Sequence, residues 1–116
     1  MKIAYIAGPY RAKTKLGIIC NILKVRKVAM ELWRMGYTVV CPHLNSALMD
    51  GIVPDEVFLR RGVEILKRCD LLVLLPDWEK SKGAMIEREK ACGMMPVFFW
   101  PRHKKVLEVE VILKCN

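Results

Sequence analysis

Residues 71–75 read Leu-Leu-Val-Leu-Leu, five apolar residues in succession between Cys69-Asp70 and Pro76. A strand with one wet face alternates apolar and polar side chains. A run with no polar position suits a strand covered on both faces, as in a parallel sheet between helical layers. Pro76 closes the run. Other segments supply the remaining strands: residues 2–7, stopped by Gly8-Pro9; residues 37–41, stopped by Pro42; and residues 96–100. Within residues 16–35, Ile18, Ile22, Val25, Ala29 and Leu32 recur at steps of four and three, opposite a face with Lys24, Lys27, Glu31 and Arg34. That is an amphipathic helix ended by Gly36. Residues 43–53 read as a loop. Pro54-Asp55-Glu56 looks like the start of a helix to about residue 68, and Ser81 can cap another to about residue 92, ended by Gly93. Residues 105–114 carry Val106, Glu108, Glu110 and Ile112 without a clean period; they read as an edge strand in preference to a last helix. Strands alternating with helices imply βαβ units, hence an α/β sandwich of three layers around a parallel sheet of four or five strands.

The chain has 116 residues, which fits one domain spanning 1–116, and its 53% hydrophobic and 28% charged residues exclude disorder. Five cysteines without a Cys-x-x-Cys pair argue against a disulfide framework and for a reducing cytoplasm. Cys20, Cys69 and Cys92 sit among apolar neighbours and read as small hydrophobes. The apolar run after Lys2 is too short for a signal peptide or a membrane span, so a soluble, unprocessed protein is expected. The net charge is +8, and residues 1–34 hold eight basic side chains against Glu31 alone. Such a basic third suggests an anionic partner: nucleic acid, a membrane surface or a phosphorylated small molecule.

In an open parallel sheet, ligands bind beyond the carboxyl ends of the strands, which directs attention to residues 8–15, 42–53, 76–80 and the segment after Phe99. The first of these has neither a dinucleotide fingerprint nor a Walker motif. Gly8-Pro9-Tyr10-Arg11 instead places a ring and a guanidinium at a strand tip, suited to stacking a base and holding an anion, or else a plain surface turn. With Ser81 capping, the amides of Lys82, Gly83 and Ala84 are free donors for a phosphate or carboxylate. Glu87 leans back over the turn occupied by Gly83, whose missing side chain leaves room for a substrate; Glu89 has Met85 on its face. The competing reading is that Glu87 merely enjoys the helix dipole. Cys41-Pro42-His43 offers two metal ligands but nothing to complete a site, so no metal is expected. No Ser or Cys nucleophile pairs with His43 or His103. Lys24, Lys27 and Arg34 lie on a polar helix face without any nucleic-acid motif, so solvated charge explains them better than nucleic acid does.

Residues 3–10 (Ile-Ala-Tyr-Ile-Ala-Gly-Pro-Tyr), Cys41-Pro42-His43, Cys69-Asp70 and the segment Pro76-Asp77-Trp78-Glu79-Lys80-Ser81-Lys82-Gly83-Ala84 with Glu87 and Ala91 together resemble the nucleoside 2-deoxyribosyltransferase-like superfamily. The likeness is greatest to its small phage and bacterial branch, domain of unknown function 4406. It implies a flavodoxin-like, Rossmann-like fold, with Glu87 as a glutamate nucleophile and Tyr5 as the residue that positions it. The Gly8-Pro9-Tyr10 loop would line the sugar and base pocket with Arg11, His43 and Trp78 nearby, and Ser81, Lys82 and Gly83 would meet the sugar or a phosphate. Asp77 is the nearest candidate to protonate a departing base. The implied reaction is cleavage or transfer of an N-glycosidic bond in a nucleoside or nucleotide, through a glycosyl-enzyme ester and without a cofactor. Relatives often complete their pockets with a neighbouring subunit, which implies a homodimer or higher homo-oligomer. They also usually carry an aspartate eight residues before the Asp of the Cys-Asp pair; here that position is Gly62. Its loss keeps an alternative open, a protein that senses or sequesters nucleotides without turnover. Beside the helix start at Ser81, the basic first third reads as a field around a small anionic nucleotide.

Overall fold

Every residue from Leu71 to Leu75 is buried, and the alternation of the chain divides them between two cores. Leu71, Val73 and Leu75 join one cluster, Leu72 and Leu74 the other. The computed structural model describes residues 1–45, 49 and 51–115, with side chains as far as residue 111. Its elements are β1 (Ile3–Ala7), α1 (Lys15–Met35), β2 (Thr38–Val40), α2 (Pro42–Asn45), α3 (Asp55–Leu66), β3 (Leu71–Leu74), a 3-10 turn (Trp78–Lys80), α4 (Lys82–Ala91), β4 (Val97–Phe99) and α5 (Lys104–Cys115). Among the described residues the strands form one four-stranded parallel sheet in the order β2-β1-β3-β4. The chain leaves β1 in one direction and later returns to its other side, so the strand order reverses between β1 and β3, which pair from Ala4↔Leu71 to Ala7↔Leu74. That reversal opens a crevice at the strand ends.

Local chemistry explains the elements. Thr14 caps α1 by accepting from the Gly17 amide at 3.0 Å. Gly36, at φ 113°, ends it in the left-handed conformation that glycine adopts without strain. Asp55 and Glu56 occupy the first turn of α3, and Ser81 Oγ accepts from the Ala84 amide at the start of α4. The layer of α1 and α5 covers Ala4, Ile6, Leu71 and Val73. On the other face, Leu66 of α3 and Ala84 and Ala91 of α4 cover Tyr5, Ala7, Leu72 and Leu74.

Three expectations are corrected. Residues 105–114 belong to α5, not to an edge strand. Leu107 is fully buried and Val111 packs on the same core, one turn apart, while Val106 and Val109 face outward. The β-branched residues and alternating glutamates imitate a strand, but tertiary anchoring decides. Tyr37 donates to the Leu107 carbonyl at 2.6 Å, and Lys2–Glu110 (2.7 Å) and Lys104–Glu31 (2.9 Å) tie the helix to β1 and α1. Second, the loop expected over 43–53 begins with the short helix α2. Its reading over 46–48 and 50 lies outside the described residues, and the side chain of Cys115 is not among the described ones. Third, Cys20 and Cys92 are exposed free thiols, not packed hydrophobes. Among the described residues no helix is long and apolar enough to cross a membrane.

Removing the Tyr37 hydroxyl (Tyr37→Phe) deletes a buried hydrogen bond and leaves the ring packed. Urea unfolding is expected to show a loss of about 1 kcal/mol with an unchanged slope, since the fold itself persists.

Candidate active site

The alternation of β1 that sends Ala4 and Ile6 toward α1 sends Tyr5 toward α4. In α4, Ala84, Glu87 and Ala91 are the buried residues, spaced by three and four, so Glu87 stands in the middle of the apolar face. Glu89 is exposed. The Tyr5 hydroxyl donates to Glu87 Oε2 in a short, buried hydrogen bond. Burial raises the Glu87 carboxyl to about 7, with the Tyr5 hydrogen bond opposing the rise. Burial, and then the adjacent carboxylate, push the Tyr5 hydroxyl upward, so Tyr5 keeps its proton and serves as the donor.

This pair forms part of a cavity of about 790 Å³ at the crevice between β1 and β3. Gly8, Pro9, Tyr10 and Arg11 line one wall, and Lys80, Ser81, Lys82 and Gly83 line another around the start of α4. A Cβ at Gly8 would stand 2.9 Å from Leu75 Cβ, so the turn after β1 passes close against the end of β3 only because the residue is glycine. A Cβ at Gly83 would meet Leu59 Cδ1 at an ordinary 3.6 Å; the protein does not demand glycine there, and the space freed belongs to the cavity. His43 completes the wall from α2, 7% exposed, its ring edge-on to Tyr10 with centroids 5.2 Å apart. Neither ring nitrogen has a hydrogen-bond partner among the described residues. Burial lowers its pKa; the Pro9 and Gly8 carbonyls pull the other way without hydrogen-bond geometry, leaving a neutral ring at neutral pH.

Two expected site residues lie elsewhere. Asp77 and Trp78 do not line the cavity. Asp77 adopts φ 67° and opens the 3-10 turn, which leaves its carboxylate 64% exposed and 3.5 Å from Lys80. Trp78 packs against Phe99 (5.9 Å) beneath the Arg88 guanidinium (5.2 Å). The structure therefore does not bring Asp77 to the Tyr5–Glu87 pair. The charge of residues 1–34 is also distributed differently from expectation. Of its eight basic residues Arg11 alone lines the cavity, and it is ion-paired with Asp55. Lys80 and Lys82 supply the other cations there.

Of the α3 residues that line the cavity the sequence reading had singled out Gly62 and missed Asp55, Glu56, Phe58 and Leu59. A signal was present: positions 55, 58, 59 and 62 share one helix face. Gly62 lies next to the Tyr5–Glu87 pair, because a Cβ there would stand 3.2 Å from the Tyr5 hydroxyl. Cys41 is buried and its thiol is pushed up to about 12, far from a thiolate. Among the described residues no three His, Cys, Asp or Glu side chains form a group that could hold a metal ion.

A doubly wound parallel sheet with a buried carboxylate in a strand-end cavity defines an α/β protein with an enzyme-like cleft. The family model described as Domain of unknown function (DUF4406) matches residues 2–98, and the chain belongs to that family. Among solved structures it is similar to a 2-deoxyribosyltransferase from the psychrotolerant bacterium Bacillus psychrosaccharolyticus, at 20% identity and a TM-score of 0.58. The alignment covers 84% of this chain and 70% of that one, and shows a shared fold. No curated protein matches the chain in sequence. Family and fold agree with the resemblance carried by the motifs around Tyr5, His43 and Glu87.

The raised Glu87 value has a consequence for stability. The folded protein holds this proton more tightly than the unfolded chain, so stability falls as pH rises from about 4.5 to about 7 and stays reduced above that. The penalty is on the order of 3 kcal/mol. Glu87→Gln keeps an acceptor for Tyr5 and cannot ionise. Chemical denaturation is expected to find the variant more stable than the parent above pH about 8, with the gain vanishing near pH 4.5.

Proposed function

We propose that this protein cleaves or transfers the N-glycosidic bond of a nucleoside or nucleotide, with Glu87 as the nucleophile. The observation that carries the reading is the buried Glu87 carboxylate, held by the Tyr5 hydroxyl and lining a cavity that also reaches Ser81, Lys82 and Gly83 at the start of α4, where the cap itself takes up the Ala84 amide. The similar solved enzyme is described as a biocatalyst for the synthesis of antiviral and antitumoral nucleosides, which adds support at the level of fold.

In this reading a Glu87 oxygen attacks the anomeric carbon while the carbon–nitrogen bond breaks. The electron pair leaves with the base, which takes a proton from solvent in the open mouth. The oxocarbenium-like transition state collapses to a glycosyl ester on Glu87. Water, or the nitrogen of a second base, then attacks the carbon, gives up its proton to solvent in the open mouth and releases the carboxylate with net retention. Tyr5 fixes the direction of attack. Gly8, Pro9 and Tyr10 border the sugar and base, and neutral His43 offers one donor and one acceptor to them. The start of α4, with Ser81 and Lys82, holds the 5′ end or its phosphate. No cofactor is required, and a second copy of the chain would close the mouth.

A second reading, nucleotide binding without turnover, draws on Gly62, which adjoins the Tyr5 hydroxyl at the position where relatives usually carry an aspartate. Chromatography of deoxynucleosides, nucleoside monophosphates and a pyridine dinucleotide incubated with the parent and with Glu87→Gln separates the two. Base release by the parent and at least a hundredfold less by the variant is the expected outcome. Tight calorimetric binding by both proteins without product would establish the binding reading instead.

The pH profile offers an independent check. Attack needs ionised Glu87, so kcat/KM is expected to fall as pH drops below about 7. Because the Tyr5 hydrogen bond lowers the Glu87 value, Tyr5→Phe is expected to move that acid limb to higher pH and to lower the plateau rate.

A further inference from the structure

Helix α1 has two apolar faces. Val25, Val28, Ala29 and Leu32 are buried in the core, whereas Leu16, Ile19, Leu23, Met30 and Trp33 are between 41% and 70% exposed. These five fall on a single repeat, 16-19-23-26-30-33, in which Arg26 is the only polar member. At 3.6 residues per turn the six positions occupy an arc of about 100° turned away from the core face, running about 26 Å along the helix. Strict steps of three and four in so narrow an arc are the a and d positions of a coiled-coil seam.

The charges around the seam select its occupant. Lys15, Lys27 and Arg34 flank it, and neither they nor Arg26 form an ion pair among the described residues. The one acid of the helix, Glu31, is held by Lys104 at 2.9 Å. A second copy packed antiparallel would match Leu16 with Trp33 and Ile19 with Met30. It would also set Leu23 against Arg26 and face Lys27 and Arg34 with cations of the other copy, so the seam is not self-complementary. A lipid surface calls for a broad apolar face, wider than this arc and without a central arginine. An acidic helix satisfies both the apolar repeat and the cations.

We propose that this face of α1 docks an acidic amphipathic helix of another protein, with apolar residues in the seam and Asp or Glu side chains against Lys15, Arg26, Lys27 and Arg34. No residue of α1 lines the cavity, so docking leaves it open.

The test is calorimetric titration of the full chain with a synthetic three-heptad peptide carrying Leu at a and d and Glu at e and g. A second peptide with Lys in place of Glu and phosphatidylserine vesicles are run in parallel. The Glu peptide is expected to bind, to weaken steeply with added salt, and to bind at least about tenfold more tightly than the Lys peptide. Leu23→Glu and the milder Trp33→Ala are expected each to reduce that affinity, by about tenfold or more for Leu23→Glu, while circular dichroism stays unchanged. Equal binding of both peptides, or binding of neither, overturns the proposal. So does capture by vesicles without peptide binding, or a concentration-dependent dimer that Leu23→Glu abolishes.

Discussion

The contact between the Tyr5 hydroxyl and the Glu87 carboxylate is the constraint around which the rest of the molecule is arranged. A carboxylate deep in an apolar layer is costly, and one hydrogen bond offsets only part of that cost, as the raised Glu87 value records. A fold selected for stability alone would place an apolar side chain on that face of α4, between Ala84 and Ala91. The sheet holds Tyr5 rigidly from one side and the capped helix holds Glu87 from the other. Both groups thus line the cavity in a fixed relation.

The two sides of the sheet carry different burdens. The layer of α3 and α4 accepts the expense of a buried acid, an unpartnered imidazole at its margin and a cavity. The layer of α1 and α5 is conventionally apolar inside and carries most of the positive charge of the first third outside. This separation alters the meaning of the net charge. Most of those cations lie on the outer surface of α1, remote from the cavity wall, where Arg11, Lys80 and Lys82 stand among Asp55, Glu56 and Glu87.

Much of the architecture was legible where one physical cause dominates. The run from Leu71 to Leu75 has no polar position and so needs two covering layers; Gly36 and Ser81 end and begin helices for reasons contained in the residues themselves. Glu87 drew attention because a helical side chain leans toward the N-terminus, over the turn where Gly83 leaves space. What was missed depends on distant contacts. Nothing local in residues 105–114 reveals that Tyr37 waits to bind the Leu107 carbonyl, so the valines suggested a strand. Nothing near Gly62 shows that it adjoins Tyr5, 57 positions away in the chain. Asp77 misled because nearness to a strand end says little about direction, which here follows from a left-handed backbone angle.

The alternation of β1 has a consequence for how this protein can change over evolutionary time. Ala4 and Ile6 face one layer, Tyr5 and Ala7 the other, so a strand lengthened or shortened by a single residue ahead of Tyr5 would exchange the two sets. A tyrosine would then be driven into the α1 layer, and Glu87 would be stranded without a donor. Substitutions along this strand can be absorbed gradually, but insertions and deletions cannot. The spacing from the start of β1 to Gly8 is therefore inherited as a unit, and parity, as much as residue identity, is what selection must preserve there.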